Sequence, residues 1–261
     1  MKKHECDILG HPIRLGVSSE IDLYRAQTYA TKEPETLQWI LKYFKNDDVF
    51  YDLGANIGLF SIFCGKAFNG QCTVYAIEPE SQNFASLNNN IYMNGLSDSV
   101  ISCCLAMTNE VTFDILNLHP YSYDLCKISD ELISGPAMHT FGGTIDYKGE
   151  NFKPVHRQGV ISASVDSLWS FFRCKFPTHI KIDIDGLELS VVRGMQKTLQ
   201  DQRLRSVLIE VSEKDNDTDE ILETIAKNGF TVDNDLTNLS KKQLEGTQFQ
   251  GIYNTIFFRN S

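Results

Sequence analysis

Residues 49–61, VFYDLGANIGLFS, set the carboxylate of Asp52 immediately before a turn that carries Gly54 and Gly58. A glycine turn between a strand and a helix is a usual seat for a nucleotide, because the helix N-terminus presents unpaired N–H groups. For a dinucleotide the pattern is GxGxxG, whose second glycine lets the backbone approach a pyrophosphate. Asn56 stands at that place, and its side chain obstructs the approach. Asp52 adds repulsion: two unit charges about 4 Å apart interact by about 4 kcal/mol at an effective dielectric of about 20. A ligand with a nucleoside at one end and a cation at the other turns that repulsion into attraction. S-adenosylmethionine is such a molecule. Its ammonium and sulfonium suit Asp52 and the glycine backbone, and its ribose suits Glu78 as a bidentate acceptor. Glu78 follows Gly54 at about the 20-residue spacing expected of a ribose-binding acid. Taken alone, Glu78 could instead be a helix N-terminal carboxylate. Asn83, in the first turns of the next helix, either touches the cofactor or is solvated.

A second group lies in IKIDIDGLELSVVRGM (180–195), which brings Asp183, Asp185 and Glu188 close together in the chain. Side chains alternate along a strand, so Lys181 and Asp183 share a face, with Asp183 nearer the tip. Methyl transfer is an in-line displacement at an activated carbon. The protein's main task is to align the acceptor, and orientation can supply up to roughly 7–11 kcal/mol. An acceptor hydroxyl also gains from a base. Asp183 and Glu188 are the catalytic candidates, with His119, His139 or His156 as alternatives. At least one of Asp185 and Glu188 is expected to serve as an N-cap or first-turn acid of the helix that follows. Asp183 and Glu210 could hold a divalent ion as oxygen ligands, but no metal site is assigned.

Such groups need a scaffold that gathers strand tips. Short β-rich runs at 49–53, 72–79, 100–106, 179–186, 205–211, 231–235 and 253–259 alternate with helical patterns. Leu37, Ile40, Leu41 and Phe44 mark a helix behind Pro34; 59–68 is a buried helix; Phe84, Leu87 and Ile91 mark the next. Leu187, Val191, Met195 and Leu199 line a further helix, and Ile221, Leu222 and Ile225 another. Alternating strands and helices predict an α/β fold with a doubly wound, mostly parallel sheet and right-handed crossovers. Its ligand sits where the fourth strand neighbours the first, which places Asp183 beside Asp52. Residues 1–34 read as an N-terminal extension and 35–261 as the domain, interrupted by an aperiodic insertion at about 117–160. That insertion is either a substrate-selecting loop or an ornamental surface excursion.

The chain has 261 residues, 42% of them apolar, which is ample for one core, and a formal charge of −10, which argues against nucleic acid as a partner. Seven scattered cysteines form no disulfide or zinc pattern. The start, MKKHECDILGHPIRLG, lacks an apolar core, and no later stretch approaches the length of a membrane helix, so a cytoplasmic protein is expected.

Three motifs in order, YDLGANIGLFS, YAIEPESQNFASLNNNIYMNG and KIDIDGLELSVVRGM, resemble the FkbM-type S-adenosylmethionine-dependent methyltransferases. The likeness covers roughly residues 33–260, with EPETLQWIL and NTIFF also similar. It implies the class I methyltransferase (Rossmann-like) fold, a seven-stranded sheet with an antiparallel last strand, and O-methylation of a sugar, glycan or other small metabolite. S-adenosyl-L-methionine is the implied cofactor. The cofactor-binding set then comprises Asp52, Gly54, Asn56, Gly58, Glu78, Asn83, Ala106 and Asp183. Asp185 and Leu187 stand where the family commonly has Glu and His. The expected partner is a small-molecule or carbohydrate acceptor. The competing readings are a nicotinamide-dependent oxidoreductase and a non-catalytic nucleotide-binding relative.

Overall fold

The computed structural model describes residues 2–120, 132–146, 149–247 and 249–259. The chain opens with a hairpin, β1 (Lys2–Ile8) and β2 (His11–Val17), then α1 (Glu20–Lys32) and α2 (Pro34–Tyr43). Strands β3 (Val49–Leu53), β4 (Thr73–Ile77) and β5 (Val100–Cys103) alternate with α3 (Leu59–Ala67) and α4 (Ser81–Met93). A smaller group follows: β6 (Ala106–Met107), β7 (Phe113–Leu118), β8 (Thr140–Phe141) and β9 (His156–Ala163), then α5 (Val165–Ser170). The main fold resumes with β10 (His179–Ile182), α6 (Glu188–Arg193), α7 (Gln196–Gln200), β11 (Ser206–Ser212) and α8 (Thr218–Lys227). It ends with β12 (Thr231–Val232), α9 (Asn234–Gln243) and β13 (Ile252–Phe258).

Seven strands form the main sheet in the order β12-β13-β11-β10-β3-β4-β5. β13 alone runs antiparallel to its neighbours, as the resemblance implied. β10 pairs in parallel with β3, Lys181 opposite Asp52 and Ile182 opposite Leu53, so the two acidic segments leave the sheet side by side. Every residue of β3 is buried because both faces of the sheet are covered. Tyr51 and Leu53 join one core with Ile180, Ile182, Val191 and Val207. Phe50 joins the other with Ile62, Val74, Leu87 and Ile256. Ile8, Ile13 and Leu15 of the hairpin belong to that second core. Asn94 and Asn90 at the end of α4 fasten β2 by accepting the N–H groups of Arg14 at 3.0 Å and Gly16 at 2.7 Å.

Four expectations need correction. The third strand stops at Cys103, and Ala106 begins a short strand of the small sheet, where it packs with Leu116, Leu118 and Val160. The strand at 179–186 ends at Ile182, because Asp185 and Gly186 both take positive φ, 58° and 101°. The helix after it breaks at Gly194, whose Cβ would stand 2.7 Å from backbone atoms of Thr108 and Asn109. The run 231–235 is a two-residue strand, after which Asp233 caps α9 by accepting the Leu236 N–H at 3.2 Å. The insertion carries an antiparallel pair, β7 with β9, and part of it lies outside the described residues. Among the described residues no helix is long and apolar enough to cross a membrane.

Candidate active site

The turn after β3 is held by the Gly54 and Ala55 N–H groups, which donate to Ile77 O at 3.0 and 2.9 Å. Gly54 has φ 80°, and a Cβ there would lie 1.8 Å from Asp183 O, so only glycine lets the exits of β3 and β10 meet. Gly58, at φ 93°, would meet Leu87 Cδ1 at 2.5 Å, which reserves its space for packing of α4. Asn56 adopts a left-handed φ of 51°, which asparagine tolerates. Its N–H donates to Glu78 Oε2 at 2.8 Å. At the place where a dinucleotide site would aim an N–H at phosphate, this one is committed to a carboxylate.

Asp52 is 1% exposed. Its Oδ2 accepts from Ser61 Oγ at 2.6 Å, while its Oδ1 is buried with no hydrogen-bond partner among the described residues. Burial pushes its carboxyl up, and the Lys181 ammonium and Ser61 hydroxyl oppose that. Lys181 is itself buried, over the Phe60 ring, and its Nζ reaches Asp183 Oδ2 at 2.5 Å. Burial would raise the Asp183 carboxyl, yet the Lys181 ammonium, through charge and hydrogen bond, holds it below the ordinary carboxylate value. The shared strand face read from the sequence therefore becomes an ion pair, and one buried ammonium stands between two carboxylates.

Glu78 is 5% exposed. Its Oε1 accepts the Glu80 N–H at 2.9 Å and lies 3.4 Å from Asn83 Nδ2; burial pushes its carboxyl up to about 7. The helix-capping role belongs instead to Glu80, which accepts the N–H groups of Gln82 and Asn83 at 3.0 and 2.7 Å. Glu188 opens α6, and its carboxylate accepts the N–H groups of Ile184 at 3.2 Å and Gly186 at 3.0 Å. Burial raises it to about 7. Asp185 accepts the Met138 N–H at 2.7 Å, and Glu210 is pushed well up by burial and by Asp183.

The structure thus brings Asp52, Gly54, Asn56, Gly58, Glu78, Asn83 and Asp183 to neighbouring strand ends, with Asp185 and Glu188 beside them. Ala106 belongs to the small sheet. The histidines lie in the insertion: His119 Nε2 is 3.4 Å from Asp146 Oδ2, and His139 Nδ1 accepts the His119 N–H at 3.2 Å. Burial lowers His139 to about 3, and His156 is exposed. Among the described residues no group of three or more His, Cys, Asp or Glu is arranged to hold a metal ion. Sequence reasoning missed Ser61, which lies in the first turn of α3; its small polar side chain within the apolar run LFSIF was the only signal. It also missed Lys181 as a counter-charge, although the alternation in KID foretold its side. Chemically, the arrangement offers an acceptor atom for a cation at Asp52, a carboxylate for a diol at Glu78, and a carboxyl near neutrality at Glu188.

The fold, a mostly parallel sheet with an antiparallel last strand, is that of the class I, Rossmann-like methyltransferases. A Methyltransferase FkbM domain matches residues 52–232, more than half of the chain, and the protein belongs to that family. It is 24% identical over 205 residues to the hexuronic acid methyltransferase AglP of Haloferax volcanii, covering 78% of this chain and 72% of that one. It is 27% identical over 194 residues to the 31-O-demethyl-FK506 methyltransferase FkbM of Streptomyces tacrolimicus, covering 71% and 73%. The crystal structure of methyltransferase FkbM from Methylobacillus flagellatus KT superposes with a TM-score of 0.50 at 15% identity. That match covers 94% of this chain and 56% of the other, so the present chain spans about half the length of that relative. Family membership sets aside the oxidoreductase.

Proposed function

We propose that this methyltransferase uses S-adenosylmethionine to methylate a hydroxyl oxygen of a sugar, glycan or similar hydroxylated metabolite. The observation that carries the reading is the buried Asp52 Oδ1, which has no hydrogen-bond partner among the described residues and stands at the head of the glycine turn. A buried acceptor without a donor is costly, and an ammonium group would supply one. Glu78 also fits: each of its oxygens accepts one backbone N–H, which leaves lone pairs for a ribose diol. Asp52 and Glu78 would thus hold the two ends of the cofactor, whose sulfonium supplies an activated methyl group. The alternative of a binding relative without activity is disfavoured because both ends of this edge are intact.

Of the two candidate bases, Glu188 suits the task better. A general base works best with a pKa near the operating pH, and burial sets Glu188 at about 7. Asp183 is held by Lys181 as a carboxylate of low basicity, suited to electrostatic support near the transferred group. The relatives' names, a hexuronic acid methyltransferase and a 31-O-demethyl-FK506 methyltransferase, favour an oxygen acceptor and include a sugar acid. Differential scanning with S-adenosylhomocysteine and with NADH tests the cofactor, and only the former is expected to raise the melting temperature. Transfer of labelled methyl to monosaccharides, uronic acids and nucleotide sugars tests the acceptor. Stabilisation by NADH alone overturns the reading, as does label found only on nitrogen.

A further inference from the structure

Residues 134–138, from the insertion, lie across the same edge and are held on two sides. On one side they meet α1. Asp22, fully buried, accepts from Ser134 Oγ at 2.7 Å, and Ser19 Oγ donates to Ser134 O at 2.9 Å. Arg25 Nε donates to Gly135 O at 2.9 Å. Gly135 has φ 99°, and a Cβ there would lie 2.8 Å from Ile21 Cγ2, so the backbone approaches α1 as only glycine permits. On the other side they meet the residues assigned to the cofactor. Pro136 O accepts from Asn83 Nδ2 at 2.9 Å and Asn56 Nδ2 at 3.1 Å. The Gly135 N–H donates to Asn83 Oδ1 at 2.7 Å, and the Met138 N–H to Asp185 Oδ2 at 2.7 Å.

These contacts take up the side-chain amides of Asn56 and Asn83, residues that both also bond to Glu78, which is itself 5% exposed. A ribose diol cannot reach both oxygens of a side chain so covered. Building on the proposed cofactor, we infer that residues 134–138 form a strap that the cofactor must lift from the Glu78 edge, and that Asp22 and Asp185 are positioning residues for its two sides. Asp22 keeps the strap attached to α1, and Asp185 sets how often the other side is docked. The apparent dissociation constant then equals the intrinsic one divided by the fraction of molecules with the strap lifted. Asp185 stands where the family commonly has Glu, and a shorter carboxylate at a left-handed φ of 58° is suited to the Met138 N–H. This gives position 185 a role outside the chemistry.

The test is hydrogen exchange and calorimetry on the full chain with S-adenosylhomocysteine. The ligand is expected to speed exchange at the Gly135 and Met138 amides, whose acceptors are Asn83 and Asp185. Asp185→Gly removes the acceptor while tolerating the positive φ, and it should tighten ligand binding about tenfold or more and speed association, as loss of one docking hydrogen bond to a carboxylate implies. Asp185→Asn retains an oxygen acceptor and should restore wild-type behaviour. Slower exchange at both amides on ligand binding overturns the strap as a competitor, because it would then clamp the ligand. Weaker binding by Asp185→Gly overturns it too. Absence of binding to the wild type and to Asp185→Gly alike overturns the cofactor reading itself.

Discussion

Replacing Asp52 by Asn should weaken ligand binding without weakening the fold. The substitution keeps the shape and an oxygen for the Ser61 hydroxyl, but it removes the charge that burial disfavours. A carboxyl whose folded pKa is raised is least costly when protonated, and its ionised form at neutral pH opposes folding. The neutral amide is therefore expected to leave the ligand-free melting temperature unchanged or raise it. Lys181 keeps its pairing with Asp183. Binding should suffer, because the amide presents an N–H where the buried Oδ1 accepts no hydrogen bond among the described residues. The loss is one charge-assisted hydrogen bond to the ligand's ammonium, about 1.5–3 kcal/mol. That is roughly a 10- to 150-fold weaker affinity. Calorimetric titration with S-adenosylhomocysteine at neutral pH, beside a thermal melt of the free protein, reads both signs. Unchanged affinity would refute the placement of the cation, and a parallel loss of stability and affinity would show that Asp52 acts only through the fold.

Three further outcomes follow from the same geometry. Gly54→Ala should cost about 2 kcal/mol or more in urea denaturation, because its Cβ would stand 1.8 Å from the backbone oxygen of Asp183 at a φ of 80°. With Glu188 as base near 7, turnover should rise with pH through about 7, and Glu188→Gln should remove that limb and lower kcat by about 10²–10⁴-fold. His179 is fully buried between Ser206 Oγ at 2.6 Å and Asp48 Oδ2 at 3.0 Å, and burial lowers it from 6.5 to about 4. The unfolded chain takes that proton first, so this contribution to stability is present in full above 6.5. As pH falls from 6.5 to about 4 it is lost progressively, by about 3 kcal/mol in all, and urea midpoints of wild type and His179→Gln should converge over that range.

The β-rich runs VFYDL and HIKIDI, alternating with helical patterns and joined to a glycine turn, made the parallel sheet and the Asp52–Asp183 juxtaposition legible from the sequence. Local pattern served there because β3 and β10 are short, buried on both faces and followed by strong turn signals. It failed where tertiary contacts decide. Asn234–Gln243 is polar apart from Leu236 and Leu239, and it is a helix because Asp233 caps it and Leu236 packs into the core. The helix expected through Leu187–Leu199 breaks at Gly194, where the backbone of Thr108 and Asn109 presses in. Nothing near Asp22 or Arg25 in the chain hints that they reach residues 134 and 135, more than a hundred positions away. The Lys181 pairing was half legible: its face followed from period two, but its burial follows from the packing of Phe60 above it. The same holds for the Asp48–His179–Ser206 array, assembled from three strand beginnings that share no motif.

The most direct measurement is a crystal structure of the protein with S-adenosylhomocysteine bound. The expected result has the ligand's amino group on Asp52, its ribose hydroxyls on Glu78 and residues 134–138 lifted from that edge. A ligand found away from the glycine turn, or bound there with its amino group remote from Asp52, would contradict the assignment of this carboxylate edge as a seat for a cationic nucleoside.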